Sequence, residues 1–160
     1  MVRAVRVFPL VFLALAACTN NSSSTPKVDP TATVRFITAP QGDVAPMVVA
    51  ELARAKSEKR QLLLYVSAPW CEPCRVFHEA VDRGELTGKL GAVDLLSFDG
   101  DHDAERLIIA NYESQYIPAF HLPLADGKSS GKKIEGSVKG GGAVADLVPR
   151  LKELLGPAPN

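Results

Sequence analysis

Apolar residues fall along this chain in blocks whose spacing changes from one block to the next. Val7 to Ala17 is an almost unbroken apolar run, and Thr19 to about Pro30 is polar and Pro-containing. From Thr33 the pattern becomes that of a packed domain. Thr33–Ile37 reads as a short strand. Asp43 stands where a helix cap belongs, ahead of Val44, Met47, Val48, Leu52 and Ala55 at helical spacing and the basic end Lys56, Lys59 and Arg60. Leu62–Val66 is the continuous apolar run of a strand buried on both faces. A helix over Glu72–Asp82 follows, with Cys74, Phe77 and Val81 in one stripe. Val93–Phe98 reads as a strand, and Ala104, Leu107, Ile108 and Asn111 as one side of a helix. Ala119–Leu122 and Lys132–Glu135 form a hairpin around Asp126-Gly127, and Val144, Leu147, Val148, Leu151 and Leu155 line a last helix that Pro149 should kink or restart. The order βαβαβαββα predicts an α/β fold, a central mixed sheet flanked by helices.

The block ahead of the domain changes the picture of where the chain goes. Arg3 and Arg6 precede an apolar run too short to cross a bilayer, and Leu15-Ala16-Ala17 brings it to Cys18 with the small side chains a signal peptidase accepts. Leu-Ala-Ala-Cys resembles the bacterial lipoprotein box, which implies cleavage after residue 17 and lipid on Cys18. The expected organisation is therefore a signal peptide over 1–17, a lipidated tether over 18–32, one domain over 33–156 and a tail over 157–160. The chain would face the periplasm or cell exterior from an inner or outer bacterial membrane. Thr19 is not the Asp associated with inner-membrane retention. Acyl chains contribute about 0.8 kcal/mol per buried methylene, so firm anchoring takes more than one.

Composition narrows the function. With 160 residues, 46% hydrophobic and 22% charged, the chain supports one domain with a proper core. Its formal net charge is zero, which gives no electrostatic footprint for nucleic acid. Loss of residues 1–17 removes Arg3 and Arg6 and no acid, leaving a slight acidic excess. Of three cysteines, Cys18 is assigned to lipid, so Cys71 and Cys74 remain as a pair.

That pair stands where the central strand hands over to a helix. A helix N-terminus stabilises a thiolate, so Cys71 is the expected exposed nucleophile. Pro73 suits the first turn, where its missing N–H is no loss. Cys74, one turn in, is the resolving thiol. Other readings of the pair are a structural bridge, a metal site and coincidence. A bridge closing so short a loop removes only about 2 kcal/mol of unfolded-state entropy and is a poor staple. One Cys-x-x-Cys without a second pair is a weak zinc pattern. His78 lies about 10 Å along the helix from Cys71 and about 6 Å from Cys74, and reads as a plain helix residue.

Trp70-Cys71-Glu72-Pro73-Cys74 resembles the active-site motif of the thioredoxin superfamily, and Tyr116-Ile117-Pro118-Ala119-Phe120 resembles the loop in which that family holds a cis-proline facing the disulfide. The resemblance covers about Leu62 to Gly136. It implies a thioredoxin fold and thiol–disulfide exchange with protein substrates, without a cofactor or metal, by a monomer that draws electrons from a partner. It also implies substrate contact at Trp70, Ile117 and Pro118, and redox tuning by Glu72 and Pro73. Glu72 should raise the Cys71 pKa slightly, a lean towards reductase. The Glu-Pro dipeptide is similar to that of reductive cytochrome-c-maturation thioredoxins, although the insertion those carry before the cis-proline has no room here. Two positions depart from the family: Tyr65 stands where a buried Asp helps move protons, and Glu79 where a proline kinks the active-site helix. The alternative function is a non-catalytic module, a chaperone, adaptor or metal carrier using the same two thiols.

Asp99-Gly100-Asp101-His102-Asp103 opens like a calcium loop but has Ala104 and Ala110 where Gly and Glu are required, so it reads as an acid-rich helix start. Gly140-Gly141-Gly142 lacks the context of a phosphate loop and reads as a linker. His121 and Arg75 have no partner constellation.

Overall fold

A computed structural model describes residues 32–157. The expected signal peptide, Cys18 and nearly all of the tether lie outside the described residues, as do residues 158–160.

Five strands form one sheet: β1 (Val34–Thr38), β2 (Gln61–Ser67), β3 (Val93–Asp99), β4 (Ala119–Pro123) and β5 (Ser129–Glu135). Their spatial order is β1-β3-β2-β4-β5, with β1, β3 and β2 mutually parallel and β4 and β5 antiparallel. β2 is central, and its alternating side chains feed two cores. Leu62, Leu64 and Val66 pack with Val44, Val48 and Ala55 of α1 (Val44–Ser57) and Leu107 of α3 (Ala104–Ile109). Leu63 and Tyr65 pack with Phe77 of α2 (Glu72–Asp82) and Leu147 and Leu151 of α4 (Ala143–Leu155). Burial on both faces explains why β2 carries no polar alternation.

A charge cluster fixes the lower edge of the sheet. Asp94, fully buried on β3, accepts hydrogen bonds from Arg35 of β1 (2.8 Å), Arg54 of α1 (2.8 Å) and Arg60. Burial pushes this carboxyl up, but the hydrogen bonds from Arg35, Arg60 and Arg54 outweigh it and hold the pKa below the usual range. Removing one partner from such a buried group costs about 3–5 kcal/mol. Arg60, read as part of the basic end of α1, lies beyond that helix and is buried against Asp94 and the carbonyls of Thr33 and Val93.

Several local expectations need correction. Asp43 occupies the cap position of α1 but its side chain makes no capping hydrogen bond. α3 stops at Ile109, Asn111 turns left-handed (φ 63°), and Ile108 is exposed rather than on the buried side. Asn tolerates that conformation, and it releases the chain into the loop leading to β4. α4 runs through Pro149 as one helix rather than restarting there. Pro149 and Ala145 are both exposed, so the carbonyl that loses its partner meets water. Gly140–Gly142 forms a 3-10 turn that leads into α4. At Gly127 of the hairpin turn (φ 80°) a Cβ would collide with the Ala45 carbonyl, so only glycine fits there.

Candidate active site

β2 ends at Ser67, and α2 begins five residues on at Glu72. Because β2 sits between β3 on one side and the antiparallel β4 on the other, its carboxyl end opens at the point where strand direction changes. Sites in open α/β sheets collect at such points. The antiparallel register sets Val66 against Ala119 and Tyr65 against Phe120. The residues just before β4 are thereby brought beside the segment just after β2, uniting two motifs more than forty residues apart in sequence.

Cys71 and Cys74 form a disulfide, with Cα atoms 5.3 Å apart. Cys71 is the N-cap of α2, and its Sγ accepts a hydrogen bond from the Cys74 N–H at 3.2 Å. Pro73 lies in the first turn, as its fixed φ favours. The same bond that orients the sulfur hides it. Cys71 is only 3% exposed and Cys74 2%, so in this oxidised form Cys71 is not the exposed nucleophile the sequence suggested. Its side chain is folded back under the helix terminus to meet Cys74. The Cys74 N–H that points at the sulfur would stabilise a thiolate in the reduced form.

Around the pair, Trp70 is 69% exposed, and its indole N–H donates to the Asp101 carboxylate at 2.7 Å. Asp101 belongs to the acidic run set aside as a helix start. Asp99 organises that run by accepting from the N–H groups of Asp101 (2.8 Å) and His102 (3.2 Å). The loop before β4 carries a cis Ile117–Pro118 bond, with Pro118 buried and Tyr116 largely exposed. Next to Ile117 opens a cleft of about 170 Å³ lined by Val66, Gly100, Leu107 and Ile108. Asp101 and Ile108 were not singled out from the sequence, and Tyr116 only as part of the Pro118 motif. The acids around Asp101 gave a signal shared by ordinary helix starts.

Glu72 does not simply stand beside Cys71. Its carboxylate accepts the Gly140 N–H at 3.2 Å and ties α2 to the turn before α4. Glu79, at the position of the absent helix-kinking proline, pairs with Arg75 on the surface at 2.8 Å. Tyr65 is completely buried, ringed by Phe36, Phe77 and Phe120, and its hydroxyl has no hydrogen-bond partner. Burial pushes its pKa well above the ordinary phenol value. His78 stacks flat on Phe36 (3.9 Å between centroids, planes 4° apart). Among the described residues no group of three His, Cys, Asp or Glu side chains is placed to hold a metal.

Residues 45–122 match the family model described as thioredoxin-like. No curated protein matches the chain. Among solved structures it is similar to thioredoxin O1 from Arabidopsis thaliana in the oxidized state, at 20% identity over 77% of this chain and 97% of that one, with a TM-score of 0.45. It is likewise similar to a disulphide isomerase from Xylella fastidiosa, at 21% identity over 72% of this chain and 90% of that one, with a TM-score of 0.47.

Proposed function

This chain is a member of the thioredoxin superfamily and, through the Cys71–Cys74 pair, a thiol–disulfide oxidoreductase; on that premise we propose that it works outside the cytoplasm, held to a membrane by lipid on Cys18, and exchanges disulfides with protein substrates in the reducing direction. The observation that carries the exchange reading is the disulfide itself, built on the N-terminus of α2 beside the loop ending in Pro118.

The chemistry follows from the geometry. In the reduced protein the Cys71 thiolate, favoured by the helix terminus, attacks one sulfur of a substrate disulfide. A bond forms between Cys71 and that sulfur, and the other substrate sulfur leaves with the electron pair. Cys74 then attacks Cys71, closing the enzyme disulfide and releasing the second substrate thiol. Protein substrates fit the surroundings. The Pro118 loop offers backbone to an extended segment, Trp70 and Tyr116 supply broad apolar contact, and the cleft beside Ile117 suits one apolar side chain. The two electrons must be replaced by a separate thiol-bearing partner. Supporting the anchor are the charged start, short apolar run and small residues before Cys18.

Insulin-disulfide reduction driven by dithiothreitol tests the exchange. The protein should turn over and Cys71→Ser should not; equal turnover in both would remove Cys71 from the reaction, and turnover absent from both alongside stoichiometric copper or zinc uptake would favour the binding module instead. The anchor is tested separately, by mass spectrometry of the amino-terminal peptide after bacterial expression of the full chain. An unmodified Cys18 would remove it.

A further inference from the structure

The resolving step has an unsolved proton. Cys74 must become a thiolate to attack Cys71, yet it is buried, and apolar surroundings raise a thiol's pKa. Tyr65, at the position of the family's carboxylate, is a phenol that burial keeps protonated, so it takes no proton near neutral pH. Leu63, Phe77 and Phe120, packed in one core with Tyr65, add no titratable group.

Cys74 does have one open side. A cleft of about 430 Å³ opens between α2 and the carboxyl ends of β2 and β3, lined by Cys74, Arg75 and His78 of that helix and by Ser67 and Asp99 of the strands. Of the titratable groups there, Arg75 is a permanent cation paired with Glu79. The Asp99 carboxylate is already committed to the backbone N–H groups of Asp101 and His102 in the loop after β3. His78 remains. It lies one turn beyond Cys74 on the same face, about 6 Å along the axis. Phe36 stacked against its ring fixes the ring's orientation.

We propose that His78 takes the Cys74 proton during the resolving step, through the cleft both side chains line, and thereby fills the place of a buried carboxylate. This rests on the exchange reading above. With the substrate held on Cys71, the proton moves from Cys74 Sγ to the imidazole, and the thiolate attacks Cys71 Sγ. The Cys71–Cys74 bond forms as the Cys71–substrate bond breaks, and the departing sulfur takes the electron pair and then a proton from the imidazolium. No proton is gained or lost overall. His78 is suited to the task at neutral pH because burial lowers its pKa, and Asp82, four residues on, only partly opposes this. Arg75 of its own helix and Asp99 of β3 share the cleft with it, Asp82 acts on it from one turn further along α2, and Tyr65 faces it from β2; β1 presents Phe36, which does not titrate.

The reduced full-length protein mixed with 5,5′-dithiobis(2-nitrobenzoate) separates the two steps by stopped flow. Attack by Cys71 releases the first thionitrobenzoate and attack by Cys74 the second. His78→Gln should slow the second phase at pH 7 by tenfold or more, leave the first within about twofold, and abolish the loss of second-phase rate on acidification through the imidazole range. Added imidazole should restore part of the rate. His78→Phe, which keeps a ring against Phe36, should behave like His78→Gln. An unchanged second phase, equal slowing of both phases, or a wild-type rate in His78→Phe would overturn the proposal. A wild-type protein that shows no first phase would instead sink the exchange reading.

Discussion

His121 shows how much a single buried side chain can conceal. It is 1% exposed on β4, its Nε2 pairs with the Ser114 hydroxyl at 2.7 Å, and its Nδ1 has no partner. Burial, with Lys133 adding to it and Glu135 opposing, lowers its pKa to about 4. The unfolded chain would bind that proton near pH 6.5. Stability is therefore full above about 6.5 and drains away as pH falls towards 4, because the unfolded state protonates first. Between pH 7 and pH 5 the loss attributable to His121 is about 2 kcal/mol. Urea denaturation at the two pH values should show it, and His121→Gln should remove most of the difference. An equal drop in the variant would mean that other groups carry it. At this scale the sequence was least legible. Cys71, Cys74 and Pro118 stood out because their chemistry is tied to local order. Asp94, with its three arginines drawn from β1, α1 and the residue just before β2, did not, since nothing in a linear pattern announces that charges 34 and 59 residues apart will share one buried carboxylate.

Elements were far more legible, and where they were misread the cause was solvent. The handover from β2 to α2 could be read because an apolar run, a cap-forming cysteine and a first-turn proline all point the same way. α3 could not be bounded, because Ile108 continues the apolar spacing yet faces water at the end of a six-residue helix. Pro149 misled in the opposite direction. Its ring removes one hydrogen bond from α4, but the freed carbonyl of Ala145 is on the wet face, while Leu147 and Leu151 keep the other face packed. Packing of that apolar stripe outweighs the local cost. Pro149→Ala should accordingly stabilise the domain. A helix-interior proline is about 3 kcal/mol worse than alanine, and about 1 kcal/mol of the gain is offset by the looser unfolded chain, so about 2 kcal/mol is expected. The denaturation midpoint should rise with an unchanged slope. A midpoint that falls would show that Pro149 shapes a bend the packing needs.

For the molecule as a whole, the pattern of strands and helices was readable but their lateral order was not, because β1-β3-β2-β4-β5 depends on which edges pair after the chain has crossed the sheet. That order decides the geometry of the proposed anchor. Val34 and Gln61 both register with Val93, so the chain enters the domain at the level where β2 begins. The disulfide follows the other end of β2, seven residues or about 20 Å further along the sheet. A protein tethered through residues ahead of β1 therefore presents its disulfide away from the surface that holds it, free to meet substrates. Trp70, the only tryptophan in the chain, reports this directly, since it adjoins Cys71 and is largely exposed. With the lipidated full chain on vesicles, aqueous iodide should quench its fluorescence as well as it does in a Cys18→Ser protein free in solution, whereas brominated lipids should quench little. Strong quenching by the brominated lipids would place the disulfide face on the membrane. Exchange would then have to occur with partners embedded there rather than with proteins approaching from the aqueous side.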